Sequence, residues 1–138
     1  MKRLILIFTA TAFAASPSST NARSTASTPL AAQCRHTDQT IPKQIKFARG
    51  RTTAVIKDTV RLCTSHEYHL RARRGQTMSI HLATGKRTSF SLLTPSGDTV
   101  GGADGVKDWS GELMDNGDYT IVVATDATAA YTLEVTIR

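Results

Sequence analysis

The stretch Glu67-Tyr68-His69-Leu70-Arg71-Ala72-Arg73-Arg74-Gly75-Gln76-Thr77-Met78-Ser79-Ile80-His81-Leu82 decides the fold class. Tyr68, Leu70 and Ala72 alternate with Glu67, His69, Arg71 and Arg73; past Gly75, Met78, Ile80 and Leu82 alternate with Thr77, Ser79 and His81. Successive side chains of a strand point to opposite faces, so each run makes a strand with one dry and one wet face. A one-residue slip would move a whole apolar row into water, which ties the two runs to a common face. Joined as a hairpin about Arg73-Arg74-Gly75, with Gly75 left-handed, they are expected to place Arg71 opposite Thr77, His69 opposite Ser79 and Glu67 opposite His81.

The same alternation recurs at the end of the chain, where Tyr131, Leu133, Val135 and Ile137 alternate with Thr132, Glu134, Thr136 and Arg138. Further strands are expected over residues 44–49, with Ile45 and Phe47 inward, 53–57, 88–93, with Phe90 and Leu92 inward, and 119–125. Gly50, Thr84-Gly85, Pro95-Ser96-Gly97, Gly101-Gly102 and Asn116-Gly117 supply turn chemistry between them. No segment carries the helical period that a βαβ crossover needs. The expected fold is all-β, an antiparallel β-sandwich of about eight strands.

Upstream, Met1-Lys2-Arg3 is a basic start, Leu4-Ile5-Leu6-Ile7-Phe8 opens an apolar stretch to Ala15, and Ala12-Phe13-Ala14 has the small-x-small cleavage pattern. Residues 1–15 therefore read as a secretory signal peptide, too short to span a bilayer. Residues 16–40 form a Ser/Thr/Ala/Pro-rich leader without hydrophobic period, expected to be flexible, and 41–138 one small domain. The mature chain is expected to be a soluble monomer, periplasmic or secreted, with no membrane span. In an oxidising compartment Cys34 and Cys63 are expected to pair, tying the leader to the domain.

The formal net charge is +6, unevenly distributed: bases dominate from Lys43 to Arg87, against Asp58 and Glu67, and acids dominate from Thr88 on, against Lys107 and Arg138. That asymmetry orients a charged partner only if the halves fold apart in space. Nucleic acid is not an expected partner, because no aromatic platform interleaves the bases. No Gly-x-Ser-x-Gly elbow or paired-carboxylate arrangement announces an enzyme. Glu67, His69 and His81 are metal-ligand types brought near one another by the hairpin register, but ligands on a flat sheet face diverge; no metal or cofactor is expected. The segment 101–108 lacks the alternating acids and closing Glu of a calcium loop and reads as a glycine-rich surface loop. Trp109 follows it, either plugging the edge of the core or exposed as a binding anchor. Under up-and-down alternation the loops around 58–65, 83–87 and 101–108 share one end of the sandwich, which makes Lys86, Arg87, Lys107 and Trp109 the expected binding surface.

Phe47-x-x-Gly50, Tyr68-x-Leu70-x-Ala72-x-x-Gly75-Gln76, Pro95-x-Gly97, Gly117-x-Tyr119 and Tyr131-x-Leu133-x-Val135-x-Ile137 run through the domain. In these motifs the chain resembles the periplasmic inhibitors of goose-type lysozyme and the broader bacterial pre-peptidase C-terminal domains. The resemblance implies a jelly-roll-like β-sandwich. With the inhibitors it implies a non-enzymatic protein whose loops enter the substrate cleft of a lysozyme; with the other family it implies a carbohydrate- or envelope-binding module, for which an exposed Trp109 would be the platform. A metal-binding envelope protein is a further alternative, should Glu67, His69 and His81 converge. The matched positions shape the scaffold, and the two cysteines lie outside the inhibitor pattern.

Oxidised mature protein is expected to show no free thiol, and non-reducing peptide mapping to recover Cys34 and Cys63 in one linked pair. By loop-closure entropy Cys63→Ser should lower stability by about 3 kcal/mol in chemical denaturation.

Overall fold

The computed structural model describes residues 39–85 and 87–138; the expected signal peptide and leader up to residue 38, with Cys34, and Lys86 lie outside the described residues. The elements are β1 (Gln39–Gln44), β2 (Thr53–Val60), β3 (Thr64–Ala72), β4 (Thr77–Thr84), β5 (Thr88–Leu93), β6 (Asp108–Glu112), β7 (Gly117–Thr125) and β8 (Ala129–Ile137). They form two four-stranded sheets in the orders β1-β3-β7-β5 and β2-β8-β4-β6. The fold is the all-β sandwich expected, antiparallel throughout except for the parallel pair β1–β3. No helix among the described residues is long and apolar enough to cross a membrane.

Odd-numbered strands make one sheet and even-numbered strands the other, so every connection crosses the sandwich and no two consecutive strands pair. The expected β3–β4 hairpin is therefore corrected. The turn over 73–76, with Gly75 at φ 84°, carries the chain from one sheet to the other. β3 pairs instead with β7, Leu70 opposite Tyr119, and β4 with β8, Ile80 opposite Val135. The same-face rule permits both arrangements, since strands facing each other across a core also point their apolar rows at one interior. The arch is favoured because it lets each strand bury that row against a full opposing sheet.

The interior holds the rows read from the sequence: Tyr68, Leu70 and Ala72 from β3, Met78, Ile80 and Leu82 from β4, and Tyr131, Leu133, Val135 and Ile137 from β8, all buried. Ile45 is buried and Phe47 packs against the core as expected, but the ladder ends one residue earlier, when Ile45 N–H donates to His69 O at 3.0 Å. The strand expected over 44–49 is thus replaced by β1, which begins at Gln39, two residues inside the expected leader. Being an edge strand, β1 is exposed on most of its length and carries no alternation to read. β6 was hidden for another reason: Trp109 is its one large apolar residue, and its ring also covers Gly111, where an added Cβ would lie 2.6 Å from Trp109 Cζ2.

The segment expected as a surface loop over 101–108 proves to be an edge cover. Phe90 and Val106 exchange backbone bonds of 2.8 and 3.0 Å, Leu92 N–H donates to Ala103 O at 2.8 Å, and Ala103 is fully buried. Asp104 accepts a hydrogen bond from Ser91 Oγ at 2.7 Å. Covering β5 in this way satisfies backbone groups that would otherwise template edge-to-edge association. Cys63 takes φ 65° in the β2–β3 turn, and its carbonyl accepts Gln39 N–H at 3.3 Å, so the chain enters the domain beside it.

Gly117 opens β7 at φ 142°, and a Cβ there would meet Pro95 Cβ at 2.9 Å. Neither the backbone nor the proline ring yields easily, so Gly117→Ala is expected to cost about 1–3 kcal/mol, read as a lower urea midpoint with unchanged slope.

Candidate functional site

Polar side chains converge in one place that the sequence reading passed over. Lys43 on β1, His66 and Tyr68 on β3, Asp58 on β2 and Tyr131 on β8 meet between the two sheets. Each takes an inward phase: Lys43 is the ladder partner of Tyr68, and Asp58 falls in step with Ala54, Ile56 and Val60. Tyr68 Oη donates to Asp58 Oδ2 at 3.3 Å, and the Tyr68 and Tyr131 hydroxyls lie 2.6 Å apart. His66 Nδ1 is 2.7 Å from Tyr131 Oη, and Lys43 Nζ bonds Asp58 Oδ2. Because the Tyr68 proton goes to the carboxylate, Tyr131 donates to Tyr68, and His66 Nδ1–H must donate to Tyr131. Lys43 Nζ also stands 5.9 Å from the Tyr68 ring centroid, within cation–π range.

The electrostatics suit a cross-sheet tie. Burial pushes the His66 imidazole below its usual value; the Lys43 charge pushes the same way, and Asp58 opposes them. Burial raises the Asp58 carboxyl, but the hydrogen bonds from Lys43 and Thr59 N–H, with the charges of Lys43 and His66, bring it below the usual range. Burial, aided by the Asp58 charge, lifts the Tyr68 phenol to about 12 against the opposing Tyr131 hydrogen bond. Burial first, then the Tyr68 hydrogen bond, raises Tyr131 well above the usual phenol value. At neutral pH the cluster is a Lys⁺–Asp⁻ pair carrying a chain of neutral donors, and no buried side-chain polar atom among the described residues lacks a partner. An inward carboxylate on β2 and an inward imidazole on β3 were the legible signs of such a partnership.

The residues singled out from the sequence distribute differently from expectation. Glu67, His69 and His81 do not come together: His69 Nε2 is 4.0 Å from Glu67 Oε2 on one sheet, while His81 pairs with Asp108 on the other. Among the described residues no group of three metal-ligating side chains converges. Arg87 and Lys107 do share a recess of about 390 Å³ with Thr88, Ser89 and Asp126. The loops at that end are stitched together, Asp126 N–H donating to Arg87 O at 3.2 Å and Leu62 N–H to Thr128 Oγ1 at 3.1 Å. Trp109 stands apart from that recess; it packs against the core, and its indole N–H donates to Gly101 O at 3.2 Å. Lys86 lies outside the described residues. The basic and acidic halves of the chain mix, since each sheet contains strands of both, and Arg71 is the ladder partner of Asp118.

No family model and no curated protein matches the chain. Among solved structures it is similar to Aeromonas hydrophila PliG, a periplasmic lysozyme inhibitor of g-type lysozyme, with a TM-score of 0.66 and 24% identity over 72% of this chain and 98% of that one. Salmonella Typhimurium PliG, also an inhibitor of g-type lysozyme, gives a TM-score of 0.59 at 18% identity over 71% of this chain and 98% of that one. The pre-peptidase C-terminal domain of a Bacillus anthracis collagenase gives a TM-score of 0.48 at 12% identity over 72% of this chain and 95% of that one. The resemblance to the lysozyme inhibitors read from the motifs thus reappears in three dimensions, and at these identities the likeness is one of fold.

The cluster predicts a pH signature. His66 is depressed below 6.5 in the folded state, so its contribution is fully present above pH 6.5 and is lost as pH falls through the folded value. Asp58, depressed below 3.8, adds a second loss at lower pH still. Urea midpoints measured from neutral to mildly acidic pH should fall, and His66→Leu should flatten that fall. Tyr131→Phe should cost about 1–3 kcal/mol at neutral pH by leaving the His66 Nδ1–H donor and the Tyr68 hydroxyl acceptor unmatched; equal pH slopes in wild type and His66→Leu would contradict the assignment.

Proposed function

We propose that this chain is an exported, non-enzymatic protein that inhibits a goose-type lysozyme by sterically occupying its substrate cleft. The observation that carries the reading is the likeness of its sandwich to structures of g-type lysozyme inhibitors along nearly their whole length. The Met1–Ala15 pattern supports export to the periplasm or beyond. The polar groups of the cluster support a non-catalytic role because they are hydrogen-bonded to one another across the sheets, even though Asp58 and Tyr131 also border a recess of about 580 Å³. Trp109, held against the core, gives the glycan-platform alternative little support.

The docking end we favour carries Arg87 and Lys107, with Lys86 as their neighbour in sequence. Its stitched loops are ordered before binding, so association loses less conformational entropy there. Its cations would complement the carboxylates that glycoside hydrolysis requires in a substrate cleft. No covalent step is involved, and the protein acts as a monomer.

Purified oxidised protein is expected to abolish goose-type lysozyme activity stoichiometrically while sparing chicken- and invertebrate-type enzymes. The double variant Arg87→Glu, Lys107→Glu should weaken inhibition about tenfold or more without changing the melting temperature. No effect on goose-type enzyme would overturn the inhibitor reading. Undiminished inhibition by the double variant would move the docking surface elsewhere on the sandwich.

A further inference from the structure

At the opposite end from Arg87 and Lys107, where the β3–β7 ladder closes at Ala72 and Gly117, a recess of about 700 Å³ is lined by Arg71, Ala72, Arg73, Gln76, Asn116 and Gly117. Its polar lining residues are two arginines and two amides. The hydrogen bonds of the neighbouring turn determine what those amides present. Gln76 Oε1 accepts Arg73 N–H at 2.7 Å, and Asn116 Oδ1 accepts Arg74 N–H at 3.1 Å. Backbone N–H groups can only donate, so both amide oxygens are fixed as the acceptors, and each side chain is left with its NH₂. The lining therefore offers donors: the amide nitrogens of Gln76 and Asn116 and the N–H groups of Arg71 and Arg73.

Two further features point to an anionic ligand. Among the described residues, the ion pairs are Lys43–Asp58, His66–Asp58, His69–Glu67 and His81–Asp108, so no carboxylate closes an ion pair with Arg71 or Arg73. Asp118, the ladder partner of Arg71, is the acid nearest by register and does not close an ion pair with it. The turn bearing the arginines is also held in place, with Gly75 N–H donating to Leu113 O at 2.8 Å and Gln76 N–H to Arg73 O at 3.2 Å. A rigid turn displaying guanidinium groups outside any ion pair resembles an anion receptor more than a solvated charge run, whose side chains would have no fixed amides beside them.

We propose that this recess binds a phosphoryl group, held by Arg71 and Arg73 and by the amide nitrogens of Gln76 and Asn116. A carboxylate has two oxygens to offer. A phosphate monoester has three strongly accepting ones with a larger charge, and better saturates a lining of four donor groups. The source is either a soluble phosphate monoester or the monoester headgroup of a phosphatidic acid, both of which present the same three oxygens.

The test is an NMR titration of the oxidised protein with inorganic phosphate at constant ionic strength, using chloride as the control, and parallel cosedimentation with phosphatidylcholine vesicles with and without phosphatidic acid. Saturable shifts of the Gln76 and Asn116 side-chain amides and the Arg71 and Arg73 Nε–H signals are expected, with a dissociation constant in roughly the millimolar range. Arg71→Gln with Arg73→Gln should weaken binding about tenfold or more at unchanged melting temperature, and Asp118→Asn should strengthen it. Cosedimentation that depends on phosphatidic acid and on the two arginines would assign a lipid source; phosphate binding without it would assign a soluble ester. Equal shifts from chloride, or phosphate shifts that survive in the double variant, would overturn the proposal.

Discussion

Burial of two apolar faces against each other holds this molecule together, because no turn joins two strands of the same ladder. Each strand leaves its sheet at its end, so ladder partners are found only after the chain has crossed the interior and returned. A row such as Tyr68, Leu70 and Ala72 thus contributes little until β7 and β8 have arrived. Loop-closure entropy must be met before the non-local contacts form, which implies slow folding for a domain of this size. It also explains why small misfits matter. Truncating a core side chain such as Phe90 or Leu133 removes contacts to both sheets, and losses of about 2–5 kcal/mol are typical for such sites.

The polar chain from His66 to Lys43 sits inside this apolar frame and does a different job. Burying an imidazole and two phenols beside a partly exposed ion pair is unfavourable unless the buried donors meet acceptors, and here they do. Such a network adds little net stability over a well-packed apolar alternative. Its value is directional: it fixes which strands face each other on the β1–β2 side, where β1 has only a single ladder partner. Proton uptake by His66 removes that arrangement's stability from the acid side.

The surface divides into two ends of different character. One end has stitched loops carrying Arg87 and Lys107 beside Asp126, close to where the chain enters the domain at Gln39 and Cys63. The other has the rigid Arg73–Gln76 turn over a donor-lined recess. Blocking a cleft requires shape and ordered loops; holding an anion requires converging donors. The sandwich can serve both because its ends share no residues, and fold likeness to inhibitors speaks only to the scaffold between them.

Period-two alternation by itself determined the fold class and most of the inward rows, because strand side chains can bury one face only if every second residue is apolar; β5 falls over the residues read from the sequence. It also placed Ile45 and Phe47 toward the core. It missed β6, where one indole occupies the space of two positions, and β1, whose edge location leaves no face to pattern. Only the tertiary structure decided the partners. Alternation fixes which face a residue takes but is silent on which strand lies beside it, so hairpin and arch read alike, and the Glu67–His69–His81 grouping dissolved when β3 and β4 went to different sheets. The same ignorance of partners hid the Lys43–Asp58–Tyr68–Tyr131–His66 chain and the recess at Arg71 and Arg73, since each is assembled from residues that only folding brings together.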